Sequence, residues 1–210
     1  MAITYPLNFP TTTGITNIQL QALNSVAISQ SPFSFRQQVV AHSGQRWGAN
    51  ITIPPLKREQ AEEWVSFLLS LKGQVGTFLM GDPNCKIPRG SASSSAGTPK
   101  VNGGSQTGNT LAIDGLPNNV TGYLKAGDYI QLGSGTNTQF YKTLTDTNTT
   151  AGGNALLDIY PNLRSAPADN ETVIVTDAKG IFRLQTSQTN WSIDSASVYG
   201  ITFTAVEVLT

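Results

Sequence analysis

Residues 47–83 read WGANITIPPLKREQAEEWVSFLLSLKGQVGTFLMGDP, and this stretch predicts a strand, a helix and a second strand in succession. The first strand spans residues 47–53 and stops at Pro54 and Pro55, because proline cannot donate to a sheet ladder. The second strand spans residues 76–80 and is closed by Gly81, Asp82 and Pro83.

The helix is predicted over residues 57–72. Its apolar side chains recur at helical spacing and form one stripe: Ala61, Trp64, Val65, Leu68 and Leu71. Three glutamates lie early and Lys72 lies at the end, which suits the helix dipole. Gly73 is a natural C-terminal stop. We expect this amphipathic helix to pack on a β-sheet.

The composition around this stretch favours a mostly β, loop-rich protein. The chain has 210 residues, of which 71 are Thr, Ser, Asn or Gln, while only 12% are charged. Threonine favours pleated surfaces, and Asn, Ser and Gly favour turns. The 20 Gly and 11 Pro leave room for few long helices.

Strand signals continue on both sides of the helix. Upstream, apolar residues between Ile15 and Ile28 lead to a turn at Ser31–Pro32. A strand is predicted over residues 33–40, and Gly44 punctuates it. Downstream, residues 199–208 alternate over most of their length and predict a long terminal strand. We expect that strand to return to the first domain.

A module interrupts this β domain. Five short strands are predicted near residues 111–113, 129–132, 140–144, 155–160 and 172–175, a spacing typical of a small barrel or a compact sandwich. Residues 89–108 are almost all small or polar, so we expect a flexible segment there. The predicted division is therefore 1–81 plus 178–210 for the first domain, and 82–177 for the module.

Several functional classes are disfavoured. The formal net charge is zero, whereas a nucleic-acid-binding protein needs a basic surface. The longest strongly apolar run, residues 65–71, is too short to cross a bilayer. The first six residues lack a secretory signal pattern, and a single cysteine, Cys85, cannot form an internal disulfide. We expect synthesis in a cytosol and no membrane insertion.

No catalytic, cofactor or metal site is predicted. A nucleophilic triad would have to use His42, which lies in a polar stretch, and Cys85 has no base near it in sequence. Zinc requires several Cys and His ligands, and the chain has two such residues. We expect Trp64 in the core, and Trp47 and Trp191 in the core rather than on a ligand platform.

Two blocks of sequence resemble distal tail proteins of long-tailed siphophages. The first block runs from residues 5–8 through 30–35 and continues with residues 47–56, Trp64, 67–73 and 76–83. The second comprises residues 124–132, 139–144 and 161–164. Together they are similar to the variety of distal tail protein that carries a small inserted module. The shared motifs are packing and turn patterns, and they contain no catalytic signature.

The resemblance implies a structural virion protein at the tail tip, synthesised in the host cytoplasm. Such proteins form a ring, commonly a homohexamer, which connects the tail tube protein to the hub, tip or baseplate proteins. The resemblance also implies a β-sandwich-like belt domain with one helix, built from both chain ends. It implies an outward, barrel-like inserted module that carries receptor-binding proteins or binds sugar.

Two other functions are kept open. The alternative is a carbohydrate-binding module that recognises a host surface glycan, with Tyr123, Tyr129 and Tyr141 as exposed ligand contacts. A third hypothesis is a hydrolase, which rests only on unassigned carboxylates such as Asp128 and Asp158.

Overall fold

A computed structural model describes residues 3–11 and 14–209 and confirms the predicted fold class. The described residues are mostly β, with one α-helix and two sheets. Residues 1–2, 12–13 and 210, which belong to the predicted first domain, lie outside that range.

The chain passes from one sheet into the other and back. Before the second sheet come β1 (Leu7–Asn8), β2 (Asn17–Gln30), β3 (Gln37–Thr52), β4 (Leu56–Lys57), α1 (Arg58–Ser70) and β5 (Phe78–Met80). The second sheet contains β6 (Lys100–Val101), β7 (Thr110–Asp114), β8 (Tyr129–Leu132), β9 (Gln139–Thr143) and β10 (Ala155–Tyr160). The chain then returns through β11 (Gly180–Leu184), β12 (Trp191–Ile193) and β13 (Val198–Glu207).

The first sheet has the order β1-β5-β11-β13-β3-β2, and β4 and β12 pair with the beginning of β13. The predicted terminal strand is therefore β13, which pairs with both β3 and β11. The β1–β5 pair is parallel and the other pairs are antiparallel. β2 forms one edge of the sheet.

The helix packs its apolar stripe into the first core, as the periodicity predicts. Ala61, Trp64, Val65 and Leu68 are all buried. Phe9 adds an aromatic contact, since its ring centroid lies 5.4 Å from that of Trp64. The helix ends two residues earlier than predicted because Lys72 takes a positive φ of 51°.

The tryptophan predictions are partly confirmed. Trp64 and Trp47 are buried, but Trp191 is 38% exposed. Trp191 lies on β12, a three-residue strand with no buried residue. Its placement in the core was therefore wrong, because this short outer strand leaves more than a third of the indole exposed.

The second sheet curls until its two edges face the same segment. The order is β6-β7-β10-β9-β8, so β6 and β8 are the edge strands. Residue 172 bridges to Lys100 of β6, and residue 174 bridges to Gln131 of β8. The predicted strand at 172–175 thus occurs as a connecting segment across the gap of a barrel-like sheet.

Residues 89–108 do not form the open loop that their composition suggested. Ala92 and Val101 are buried, and β6 belongs to the sheet. The Ala92 amide donates to the Tyr123 carbonyl at 3.0 Å, and the Gln106 carboxamide bonds the backbone of Ala112 in both directions. Small residues suit this segment because it lies against backbone. Its flexibility stays a prediction.

Buried apolar residues form two clusters. One contains α1 and the strands of the first sheet, and the other fills the curled sheet. Tyr129 and Phe140 belong to the first cluster although they lie on β8 and β9. The two sheets therefore share packed side chains, and the predicted domain division stays a prediction.

Candidate assembly surface

β2 and β3 form a long hairpin that extends beyond the first sheet. β3 pairs with β13 only between Gly48 and Thr52, while β2 pairs with β3 from Asn17 to Gln30. Residues 22–47 of the hairpin therefore form a two-stranded ribbon, which we call the arm. The sequence predicted shorter strands and a break at Gly44. Instead, β3 runs through Gly44, and the pairing of the two strands shifts register opposite Asn24–Val26.

One face of the arm is apolar and exposed. Ile28 pairs directly with Val39, and Val26 pairs with Ala41 two residues along, so all four side chains share a face. Ile28 is 63% exposed and Val39 is 57% exposed. Within residues 23–44 Arg36 is the one formally charged residue. A low-charge apolar face of this kind indicates a protein–protein contact.

The tip of the arm carries two phenylalanines. Phe33 is 96% exposed and Phe35 is 72% exposed. Phe35 also has a φ of 55°, in the left-handed region that glycine and asparagine adopt at lower cost. Because the turn itself would favour another residue, the aromatic ring at this position points to a role outside the chain.

The end of β10 and the loop after it contact the root of the arm, which is the part of the arm nearest the first sheet. The Tyr160 hydroxyl donates to the Leu23 carbonyl at 3.1 Å, and the Asn162 amide donates to the Gln45 side chain at 2.8 Å. Arg164 donates to the Gln45 carbonyl and forms an ion pair with Glu207 at 2.6 Å. These contacts join the loop after β10 to both strands of the arm.

The Arg164–Glu207 pair is buried. The Arg164 side chain is 10% exposed and the Glu207 side chain 3%. Burial raises the pKa of Glu207, and Arg164 and the Trp47 amide act in the opposite direction. The arginine thus provides the compensating charge that a buried carboxylate requires.

Trp47 packs beside this ion pair, where the two sheets meet. Its ring centroid lies 5.0 Å from that of Tyr160 and 6.0 Å from that of Phe140. Its indole Nε1 donates to the Phe140 carbonyl at 3.1 Å. Tyr129 and Phe140 are stacked at 4.6 Å, so the contact between the sheets is aromatic and tightly packed.

The three predicted ligand-contact tyrosines are not exposed. Tyr123, Tyr129 and Tyr141 are buried, and burial raises the pKa of each, to about 12 for Tyr123 and Tyr141. The Tyr123 hydroxyl donates to the Ala96 carbonyl, and the Tyr141 hydroxyl accepts from the Arg164 amide. The predicted exposure was wrong because the Tyr123 and Tyr141 rings lie in the core of the curled sheet, and the Tyr129 ring lies in the first core beside Trp47 and Phe140. Ligand contact by these residues stays a prediction.

His42 lies exposed on the arm. Cys85 is half-buried, and burial together with Asp82 raises the pKa of its thiol, the opposite of nucleophile activation. The buried Asp128 carboxylate accepts bonds from the Arg89 and Lys125 amides and holds loops together.

Residues 3–11 and 14–209 contain no group of three or more His, Cys, Asp or Glu that could hold a metal ion. No helix among them combines the length and apolar character needed to span a membrane. A cleft of about 610 Å³ lies beside Phe9, Trp64 and Met80, and in its wall Lys179 pairs with Asp177 at 3.0 Å.

Residues 86–178 match the family described as distal tail protein pb9, B domain. The resemblance to phage distal tail proteins is confirmed. The match supports a structural role in a phage tail, as a virion component in contact with other tail components. The matched family is structural and is not a known enzyme. No curated protein matches the chain significantly.

The part that matches the distal tail protein B domain contains β6–β10 and the loop that bears Arg164. The arm and Glu207 lie outside the matched residues. The sequence patterns did not predict the arm, although the charge-poor run at 23–44 was a signal for it. They also did not indicate the contact between Arg164 and Glu207, which are 43 residues apart and have no local pattern in common.

Proposed function

We propose that this chain forms a closed ring at the distal end of a phage tail, where it joins the tail tube to hub or tip proteins. The family match supports the tail setting. Ring formation is inferred from the exposed surface of the arm, which presents an apolar face and two phenylalanines to solvent. Six copies are the number that the family resemblance implies.

A second copy of this chain is the proposed occupant of the arm's apolar face. Arg36 is the one formal charge between residues 23 and 44, so the face suits a partner surface that is also poor in charge. With 12% charged residues overall, the chain itself offers such surfaces. The outer edge of β2 is also unpaired by any other strand among the described residues and can accept a neighbouring strand. Repeated head-to-tail contacts of this type close into a ring when the rotation from one copy to the next divides a full turn evenly.

In this proposal the first domain, 1–81 plus 178–210, is the belt that forms the ring, and the module at 82–177 points outward. The match over residues 86–178 supports this division. The module then carries a receptor-binding protein or contacts a host glycan.

The test is the native mass of the full chain at micromolar concentration. We expect a closed oligomer for the wild type and monomers for the double variant Ile28→Thr/Val39→Thr, which keeps β propensity but removes the apolar face. Leu156→Thr, at a side chain that is equally exposed on the module, is the matched control and should still assemble. Assembly that is unchanged in the arm variant would contradict the proposal.

A further inference from the structure

The arm lacks the lateral support that a third strand would give. β13 stops pairing with β3 at Gly48, and the register shift near Asn24–Val26 gives the ribbon a place to bend. An isolated two-stranded ribbon is marginally stable in water. The direction of the arm therefore depends on what contacts its root.

The loop at residues 160–164 provides those contacts. It bonds to Leu23 on one strand of the arm and to Gln45 on the other. Leu23 and Gln45 lie between Gly48, where β13 stops pairing with β3, and the register shift near Asn24–Val26. The loop thus holds both strands at the point where the ribbon becomes unsupported.

Arg164 connects three parts of the molecule. Its guanidinium group donates to the Gln45 carbonyl on the arm and to the Glu207 carboxylate at the end of β13. Its own amide donates to the Tyr141 hydroxyl inside the module at 3.0 Å. A planar guanidinium group can satisfy two acceptors in fixed directions, whereas a lysine ammonium cannot hold that geometry.

We infer that the inserted module braces the arm, and that Arg164 is the positioning residue that fixes the direction in which the arm leaves the sheet. The effect on the arm's direction follows from these contacts alone. Its consequence for ring assembly rests on the proposed function.

The test compares Arg164→Met/Glu207→Gln with wild type. This pair of changes removes the guanidinium contacts without leaving a buried charge, and glutamine still provides an acceptor for the Trp47 amide. Lys125→Met/Asp146→Asn, which removes a 2.8 Å ion pair within the module, is the matched control. All proteins carry Cys85→Ser, and spin labels at Ser29→Cys and Thr136→Cys report the distance between the arm and the module.

The distance is measured with Ile28→Thr and Val39→Thr present, the change expected to give monomers, so that the arm is free of neighbours. We expect a narrow distribution in the braced protein and in the control. In the Arg164→Met/Glu207→Gln protein we expect a broad distribution, with amide exchange at residues 37–47 faster by about tenfold or more. Unchanged distance and exchange in a folded variant would overturn the inference.

Arg164→Lys keeps the positive charge but cannot hold two acceptors in the fixed directions of a guanidinium group. This variant replaces the double variant if the double variant does not fold. Broadening there supports the brace, and a narrow distribution contradicts it. Native mass, with Ile28 and Val39 restored, separates the two proposals. The wild type could remain monomeric while the loss of Arg164 still broadens the distance distribution. That result would support the role of Arg164 in fixing the arm and contradict ring formation.

Discussion

The Glu207 carboxylate accepts a hydrogen bond from the Trp47 amide at 2.9 Å, at the point where β13 ends and β3 is paired with β2 only. The side chain of one residue thus takes the place that a further backbone carbonyl of β13 would occupy. The same oxygen binds Arg164, so the end of the ladder is also the joint between the two sheets.

Glu207 should make stability depend on pH. Burial raises its pKa in the folded state, so the folded chain holds this proton more tightly than the unfolded chain does. The contribution of the group is greatest below the unfolded pKa of about 4.3 and is lost as the pH rises through the raised pKa. The free energy of unfolding of wild type minus that of Glu207→Gln should therefore fall as the pH rises across this window. A difference that increases with pH would contradict this account.

Trp64 and Trp191 form a matched pair for testing the core. Trp64→Ala should cost about 3–5 kcal/mol, because it removes a fully buried indole from beneath the helix. Trp191→Ala should cost clearly less, because its indole is 38% exposed and lies on a strand with no buried residue. Urea unfolding measures both values, and a loss below about 1 kcal/mol for Trp64→Ala would show that the helix stripe does not face a core.

Gly180 marks the closest approach of β11 to the module. A Cβ there would lie 2.7 Å from the Phe140 Cβ, too close for two carbon atoms. Gly180→Ala should therefore destabilise the protein by about 1–3 kcal/mol through overpacking. Gly152→Ala, whose Cβ would meet its nearest neighbour at 3.6 Å, is the control and should be close to neutral. Thermal unfolding measures the stability of both variants. A Gly180→Ala protein as stable as wild type would mean that the two sheets are less tightly packed.

Substitutions of Tyr141 test whether this residue has a structural role or contacts a ligand. Tyr141→Phe should cost about 0.5–1.5 kcal/mol, because the hydroxyl accepts the Arg164 amide. Tyr141→Ala should cost several times more, since the ring is fully buried. A glycan array with the folded proteins then tests the remaining ligand prediction. Binding that Tyr141→Phe abolishes would support it, and a flat array for wild type would contradict it.

Local patterns predicted much of the fold. The helix, β8 and β10 follow from apolar periodicity and turn residues, and they appear at or near the predicted bounds. Periodicity reports only which face is buried, however. It therefore missed the arm, where apolar residues such as Ile28 and Val39 are exposed and mimic a half-buried strand.

Long-range contacts could not be read from the sequence. Small residues at 89–108 suggested mobility, but close backbone approach at Ala92 also requires small side chains. The burial of Tyr123 and Tyr141 depends on how the second sheet curls, which no local pattern fixes. The Arg164–Glu207 pair unites the module with the last strand, and only the assembled fold brings the two residues together.

Electron microscopy of the assembled full chain tests the central claim most directly. The account predicts a closed ring with a central opening, in which residues 26–40 of each arm lie against the neighbouring copy. A ring whose arms stay in solvent would contradict it, as would a chain that remains monomeric both alone and with the tail tube protein.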